Sequence, residues 1–216
     1  MPTRVLLVRH GQTYGNIDGL FCGHSETDLT PLGIAQAQAL GRSLASAGVT
    51  PDAVYASDLT RAAGTARYVL ESHAKAPELR LDPGLREMHY GDWEARPGKE
   101  IQEQHPEIIR DFFRGIVLST PGGETIGELR KRTAASLRTA VASHPNKTIM
   151  LVSHGNAIMA MLAEVLQLPI EGTWSFAVEN TSLTRLSVSS DGRVMLTGFN
   201  DTSHTVGLAE RLAANS

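Results

Sequence analysis

Four consecutive apolar residues, Val5-Leu6-Leu7-Val8, run straight into Arg9-His10-Gly11-Gln12, and this junction constrains the fold more than any other feature of the chain. A short run that is apolar on both faces and rich in branched side chains reads as a parallel strand buried between two layers. The polar pair then falls at the strand's C-terminal end, where open α/β sheets place their sites. The pattern recurs twice. Thr148-Ile149-Met150-Leu151-Val152 delivers Ser153-His154-Gly155-Asn156 ahead of a helical pattern over 157–168, and Ala53-Val54-Tyr55-Ala56 delivers Ser57-Asp58-Leu59-Thr60-Arg61. In a parallel sheet the three ends share one edge, carrying two histidines and two arginines suited to an anion. Side chains at strand ends are expected to face solvent there, so that replacing His10 leaves the core intact.

The stretches between these strands carry helix signals. After a loop over 11–30, Thr30-Pro31 offers an N-cap followed by a proline at the first helical position, and an amphipathic pattern continues through Leu40 and Leu44 to a stop at Gly48. A second helix is expected from 57 or 58 to about 72 and a short strand at 79–81. Thr125-Ile126-Gly127-Glu128 forms a capping box for a helix reaching about 143. The stretch 96–123 is weakly patterned and ends in Pro121-Gly122-Gly123, which reads as an insertion or lid over one side of the sheet. Strands at 182–188 and 194–199 flank a Ser-Ser-Asp-Gly turn. The expectation is an α/β fold, a mostly parallel central sheet with helices on both faces, in a single domain over 1–216. With 216 residues, 41% of them hydrophobic, the chain is long enough for one full core of that kind.

Six motifs in order resemble the histidine phosphatase superfamily, also called phosphoglycerate-mutase-like. They are Arg9-His10-Gly11-Gln12-Thr13 with Asn16; Asp28-Leu29-Thr30-Pro31-Leu32-Gly33; Ser57-Asp58-Leu59-Thr60-Arg61-Ala62; Glu87-Met88-His89-Tyr90-Gly91-Asp92-Trp93-Glu94; Pro121-Gly122-Gly123-Glu124-Thr125; and Val152-Ser153-His154-Gly155. The resemblance implies a three-layer sandwich and an enzyme that transfers phosphoryl groups through a phosphohistidine.

Such chemistry needs an unprotonated nitrogen aimed at phosphorus and fixed positive charge around the other oxygens. His10 is the candidate nucleophile, its imidazolium form disfavoured by flanking arginines. Arg9 and Arg61 suit two-pronged contact with phosphate, which lysine does not offer. Arg61 also falls in the first turn of its expected helix, where a cation opposes the helix dipole and points to an anion nearby. The bland alternatives are a strand-end histidine satisfied by backbone and a surface Arg61 paired with Asp58 or Glu87. His154 would donate to the same oxygens, helped by free N–H groups where Gly155-Asn156 open a helix. A carboxyl must protonate the leaving alcohol, and the residues alone do not choose among Glu87, Asp92 and Glu94. The resemblance implies Glu87. It also implies Asn16 as a neutral donor and Cys22 and Gly23 as residues approaching the substrate, with His24, His89 and Tyr90 lining the pocket.

Composition excludes other classes. A net charge of −3 provides no general basic field for nucleic acid or membrane, so the expected partner is a small phosphorylated metabolite, with a homodimer left open. The single cysteine, Cys22, excludes an intramolecular disulfide, and the first residues run into a strand without a signal-peptide pattern, which fits a cytoplasmic enzyme. Metal ligation is not expected: no His-x-x-x-His or Cys-x-x-Cys pair is present and the arginines would repel a cation. Trp93, Trp174, Phe112 and Phe113 read as core or lid packing. The expected function is a metal-independent phosphatase that needs no cofactor. The rivals are a phosphoglycerate mutase primed by 2,3-bisphosphoglycerate and, from a different class, a non-catalytic phospho-ligand binding protein.

Overall fold

The three apolar runs lie side by side in the middle of one sheet. In the computed structural model, which describes residues 1–214, the strands are β1 (Thr3–Arg9), β2 (Ala53–Ala56), β3 (Leu79–Leu81), β4 (Thr148–Ser153), β5 (Leu183–Val188) and β6 (Val194–Asp201). Their order across the sheet is β3-β2-β4-β1-β5-β6. The first four are mutually parallel; β5 runs antiparallel to β1 and β6 antiparallel to β5. The mostly parallel α/β sheet expected from the sequence is therefore present.

Residues alternate between the two faces of each central strand, and both faces are covered. Val5, Leu7, Ile149 and Leu151 pack with Leu137 and Ala140 of α6 (Ile126–Ser143) and Ile158, Met161 and Leu162 of α7 (Gly155–Val165). Leu6, Val8, Met150 and Val152 pack instead with Leu40 and Leu44 of α2 (Pro31–Ser46) and Ala62, Ala66 and Val69 of α3 (Thr60–Leu70). Each large buried side chain contributes about 1.5–3 kcal/mol of gross burial energy, which explains runs with no polar interruption.

Register sets the level of the site. Arg9 lies opposite Ser153 across β1 and β4, and Ala56 opposite Val152 across β2 and β4. The chain leaves all three strands at one height, delivering Arg9-His10, Ser57 and His154 to the same edge. Behind it Gly11 and Gly33 are packed backbone to backbone: a Cβ on Gly11 would fall 2.4 Å from the Gly33 carbonyl oxygen, and one on Gly33 2.0 Å from that of Gln12. This lack of side chains lets the start of α2 close against the loop that follows His10.

The stretch 96–123 holds α4 (Gly98–Gln104) and α5 (Pro106–Phe113). Ile101 and Phe112 bury there against Tyr90, Trp93, Ile126, Leu129, Ala157 and Ala160, a third cluster over the start of α6 and α7. Several boundaries differ from expectation. The second helix begins at Thr60 because Ser57 and Asp58 spend their side chains outside it, Ser57 Oγ accepting from the Leu59 N–H (3.3 Å) and Asp58 pairing with Arg86 (2.6 Å). A four-residue helix, α1 (Tyr14–Ile17), interrupts the expected long loop, and α8 (Leu208–Ala213) follows the last strand. No helix among the described residues is long and apolar enough to cross a membrane.

Candidate active site

His10 leaves β1 buried, with 4% of its surface exposed; His154 is 0% and Arg61 2% exposed. The expectation that these strand-end side chains face solvent is corrected: the α1–α2 loop and the segment before β5 close over them. His10 Nδ1 lies 2.7 Å from the Gly11 carbonyl oxygen. A carbonyl only accepts, so Nδ1 carries the proton and Nε2 keeps the lone pair. Burial holds the His10 ring neutral, well below its ordinary pKa of 6.5, and the charges of Arg61 and Arg9 add to it. Burial, not the flanking arginines expected to do so, is the larger cause.

His154 stands beside it, ring centroids 5.1 Å apart. Burial, then Arg61, then His10, push its pKa well below the ordinary value too. Arg61 Nε donates to His154 Nδ1 (3.2 Å), so the His154 proton sits on Nε2. That Nε2 and Arg9 Nε are buried with no hydrogen-bond partner among the described residues. Buried donors left over in this way are costly and call for an acceptor.

Arg9 and Arg61 are held by backbone. Arg9 Nη1 donates to the Val178 carbonyl (2.6 Å), and Arg61 donates from Nη2 to the Gly23 carbonyl (2.7 Å) and from Nη1 to that of Ser25 (2.9 Å). The segment before β5 completes the clasp: Asn180 Nδ2 donates to the carbonyl of His10 (3.0 Å) and to Asn16 Oδ1 (3.1 Å), and the Thr181 N–H to the Arg9 carbonyl (3.1 Å). Arg61 pairs with neither acid weighed for it, Asp58 being held by Arg86. The start of α3 is also answered from within the chain, since Glu26 accepts from the Thr60 N–H (3.0 Å) and from its hydroxyl. Glu26 is thus an anion of the chain itself at the helix start beside Arg61, where a bound anion was expected.

A cavity of about 350 Å³ opens at this edge, lined by Arg9, His10, Asn16, Cys22, Gly23, Arg61, Glu87, Tyr90, Gly155 and Asn156 among others. Asn16 uses Oδ1 to accept from the Thr13 N–H (3.1 Å) and from Asn180, which leaves its NH₂ as the donor it offers. Tyr90 accepts from Asn156 Nδ2 (2.6 Å), and burial pushes its phenol well above 10. Cys22 is half-buried in the wall, burial raising its thiol.

Glu87 reaches the cavity and Asp92 does not line it. The Glu87 carboxylate accepts from the Met88 (2.9 Å), Ala157 (2.9 Å) and Asn156 (3.2 Å) N–H groups, capping α7. Two of the helix N–H groups expected to serve phosphate are therefore taken by Glu87. His89 and His24 are not in this cavity. They meet edge to face, ring centroids 5.1 Å apart, in a separate open cleft with Lys131 and Arg132, and His24 Nε2 is turned to the Glu87 carbonyl (2.9 Å). Phe21, Met159 and Val178 line the cavity without any signal in the sequence, as Asn180 holds its rim without one, and Phe113, expected in packing, also lines the cavity. No group of three or more His, Cys, Asp or Glu able to hold a metal occurs among the described residues.

The fold agrees with the comparison to known proteins. The chain belongs to the histidine phosphatase superfamily (branch 1), whose family model matches residues 5–202. It is 34% identical over 190 residues to the adenosylcobalamin/alpha-ribazole phosphatase of Escherichia coli (strain K12), covering 86% of this chain and 90% of that protein. It is 32% identical over 213 residues to the metal-independent phosphoserine phosphatase of Arabidopsis thaliana, covering 97% and 87%. The solved structure of Bacillus stearothermophilus YhfR matches with a TM-score of 0.86 at 29% identity, over 94% of this chain and 99% of that one. Phosphoglycerate mutases are also among its relatives.

Proposed function

We propose that the protein hydrolyses small phosphomonoesters through a phosphohistidine on His10, without a metal ion. One observation carries this reading: a buried, neutral histidine with a free Nε2 lone pair, flanked by two arginines and by buried donors on Arg9 and His154 that lack partners. The His10 Nε2 lone pair attacks phosphorus as the bond to the alcohol oxygen breaks, and Glu87 gives that oxygen a proton. Water then attacks phosphorus, Glu87 takes back a proton, and the phosphorus–nitrogen bond returns its electrons to Nε2. The net change is ester plus water to alcohol plus inorganic phosphate. Arg9, Arg61, His154 and Asn16 hold the three remaining oxygens, charge stabilisation that the dry edge strengthens. The same two arginines would repel a metal cation beside His10.

Water rather than a second phosphoglycerate is the acceptor in this reading, and the cavity wall supports it. Away from His10 the wall is Leu20, Phe21, Phe113, Met159 and Val178, and the cavity's positive charge among described residues comes from Arg9 and Arg61. A carboxylate on the substrate would meet no further cation there, whereas a neutral, largely apolar alcohol would bury surface worth about 25 cal/mol per Å². The test is a panel of phosphomonoesters, with 3-phosphoglycerate assayed with and without 2,3-bisphosphoglycerate. Free phosphate should appear with simple monoesters, unprimed and undiminished by chelator. Faster isomerisation of primed 3-phosphoglycerate than phosphate release from any ester would move the assignment to a mutase.

A further inference from the structure

We propose that Glu94 is a positioning residue for Arg61, acting through the backbone of residues 23–25; the proposal rests on the reading of Arg61 as an anion clamp. Glu94 touches neither Arg61 nor His10. Its Oε1 accepts from the N–H groups of His24 (3.0 Å) and Tyr90 (2.9 Å), and its Oε2 from the N–H (2.9 Å) and hydroxyl (2.9 Å) of Ser25. Four donors converge on one carboxylate. Burial alone would raise its pKa, but these donors overcome it and hold the group below the ordinary 4.5.

The important link is a single peptide unit. The His24 N–H that Glu94 holds and the Gly23 carbonyl that holds Arg61 Nη2 (2.7 Å) belong to the same amide plane. A carboxylate pulls on one side of that amide and a guanidinium on the other, so each bond polarises the group that makes the next. Two residues along, Ser25 is gripped on both sides of its Cα rather than through one amide: its N–H and hydroxyl go to Glu94 and its carbonyl to Arg61 Nη1 (2.9 Å). Both arms of the fork are therefore aimed by carbonyls whose own segment is fastened by Glu94.

Gly23 shows that the segment is shaped around this carboxylate. Its φ of +48° is the left-handed conformation that side chains resist, and a Cβ there would fall 2.0 Å from Glu94 Oε1. Arg61 has five N–H donors, and three are spent on His154, Ser25 and Gly23. The other two keep a fixed direction only while those three bonds hold. The fourth donor on Glu94, the Tyr90 N–H, ties the same carboxylate to the segment that follows Glu87, so clamp and general acid share an anchor.

The experiment has two readouts on purified, folded protein. In ¹⁵N spectra, the Arg61 Nε–H should exchange slowly with solvent in the wild type. In Glu94→Ala it should exchange about tenfold faster or more, while the Arg130 Nε–H, paired with Glu164 elsewhere, stays unchanged. The second readout is orthovanadate affinity. Glu94→Ala should weaken it about tenfold in the wild-type background and add nothing in an Arg61→Ala background, the non-additivity of residues acting as one unit. Glu94→Gln, which keeps one accepting oxygen, should fall between, and it carries both measurements if the alanine variant does not fold. Unchanged Arg61 exchange, or an equal loss of affinity in both backgrounds, overturns the proposal. Should wild type bind no orthovanadate while Glu94→Ala still frees the Arg61 N–H, the phosphatase reading falls and the positioning of Arg61 stands.

Discussion

Both ends of α7 are met by a charged side chain from elsewhere in the chain, and the contrast between them separates scaffold from site. At the C-terminal end, Arg130 of α6 pairs with Glu164 (3.1 Å) and donates to the carbonyls of Ala163 (3.2 Å), Leu168 (2.8 Å) and Pro169 (3.2 Å) and to the Thr173 hydroxyl (3.4 Å). A guanidinium has five donors, and all five are used, with the cation at the helix end that favours it. At the N-terminal end Glu87 caps the helix in the complementary sense, yet Arg9 Nε and His154 Nε2 beside it stay buried without a partner. Buried charge is common to both ends. Of these two ends, among the described residues, the one with leftover donors is the N-terminal end at the site.

The largest test of that contrast is His10→Ala, expected to lower kcat/KM by roughly 10⁴-fold or more while the circular dichroism spectrum stays native. Full turnover in this variant would remove the site from this edge. Arg130→Met should do the reverse. Urea unfolding should show about 3 kcal/mol less stability, because neighbouring carbonyls and Glu164 lose their partner, with kcat/KM within about twofold of wild type. A large loss of turnover at full stability would erase the distinction between the two ends. Arg61→Lys keeps the charge and loses the fork, so kcat/KM should fall about tenfold, ~1.4 kcal/mol, with melting temperature little changed.

The smallest effect is on pH. Burial, reinforced by Arg61, keeps both His10 and His154 neutral in the native state, whereas each would titrate near 6.5 once unfolded. The unfolded chain therefore binds protons that the native one refuses. Stability should be flat above about pH 6.5 and decline below it, by up to about 1.4 kcal/mol per pH unit for each ring. Unfolding free energies from pH 8 to 5 give the slope, and His154→Asn should reduce it by one ring's share. An unchanged slope would show that His154 is already charged in the folded protein.

Legibility in the sequence followed distance along the chain. The strand ends announced Arg9, His10, Arg61 and His154, because an apolar run that stops at a polar pair is a local signal. The helix starts at Thr30 and Thr125 were equally local, each side chain accepting from the N–H three residues on. What was not legible came from remote segments. Nothing near Glu26 says that it caps α3, and nothing near Phe113 says that α5 carries it to the cavity. His89 sits beside Tyr90, but the backbone turn between them sends one to an open cleft and the other to the cavity wall. The choice of Glu87 over its two neighbouring acids likewise depends on α7, whose N–H groups lie 69 and 70 positions downstream.

The clasp before β5 has a consequence for how the protein comes to life on the ribosome. Arg9 and His10 emerge first, yet the groups that fasten them, the Val178 carbonyl and the Asn180 amide, follow 169 and 170 residues later. Contacts so far apart in the chain form late, after shorter loops have closed. A growing chain therefore carries Arg9 and His10 long before it can fasten them. On the proposed chemistry, an unfinished polypeptide that stops short of Asn180 would hold the reactive ring without the bonds that orient it.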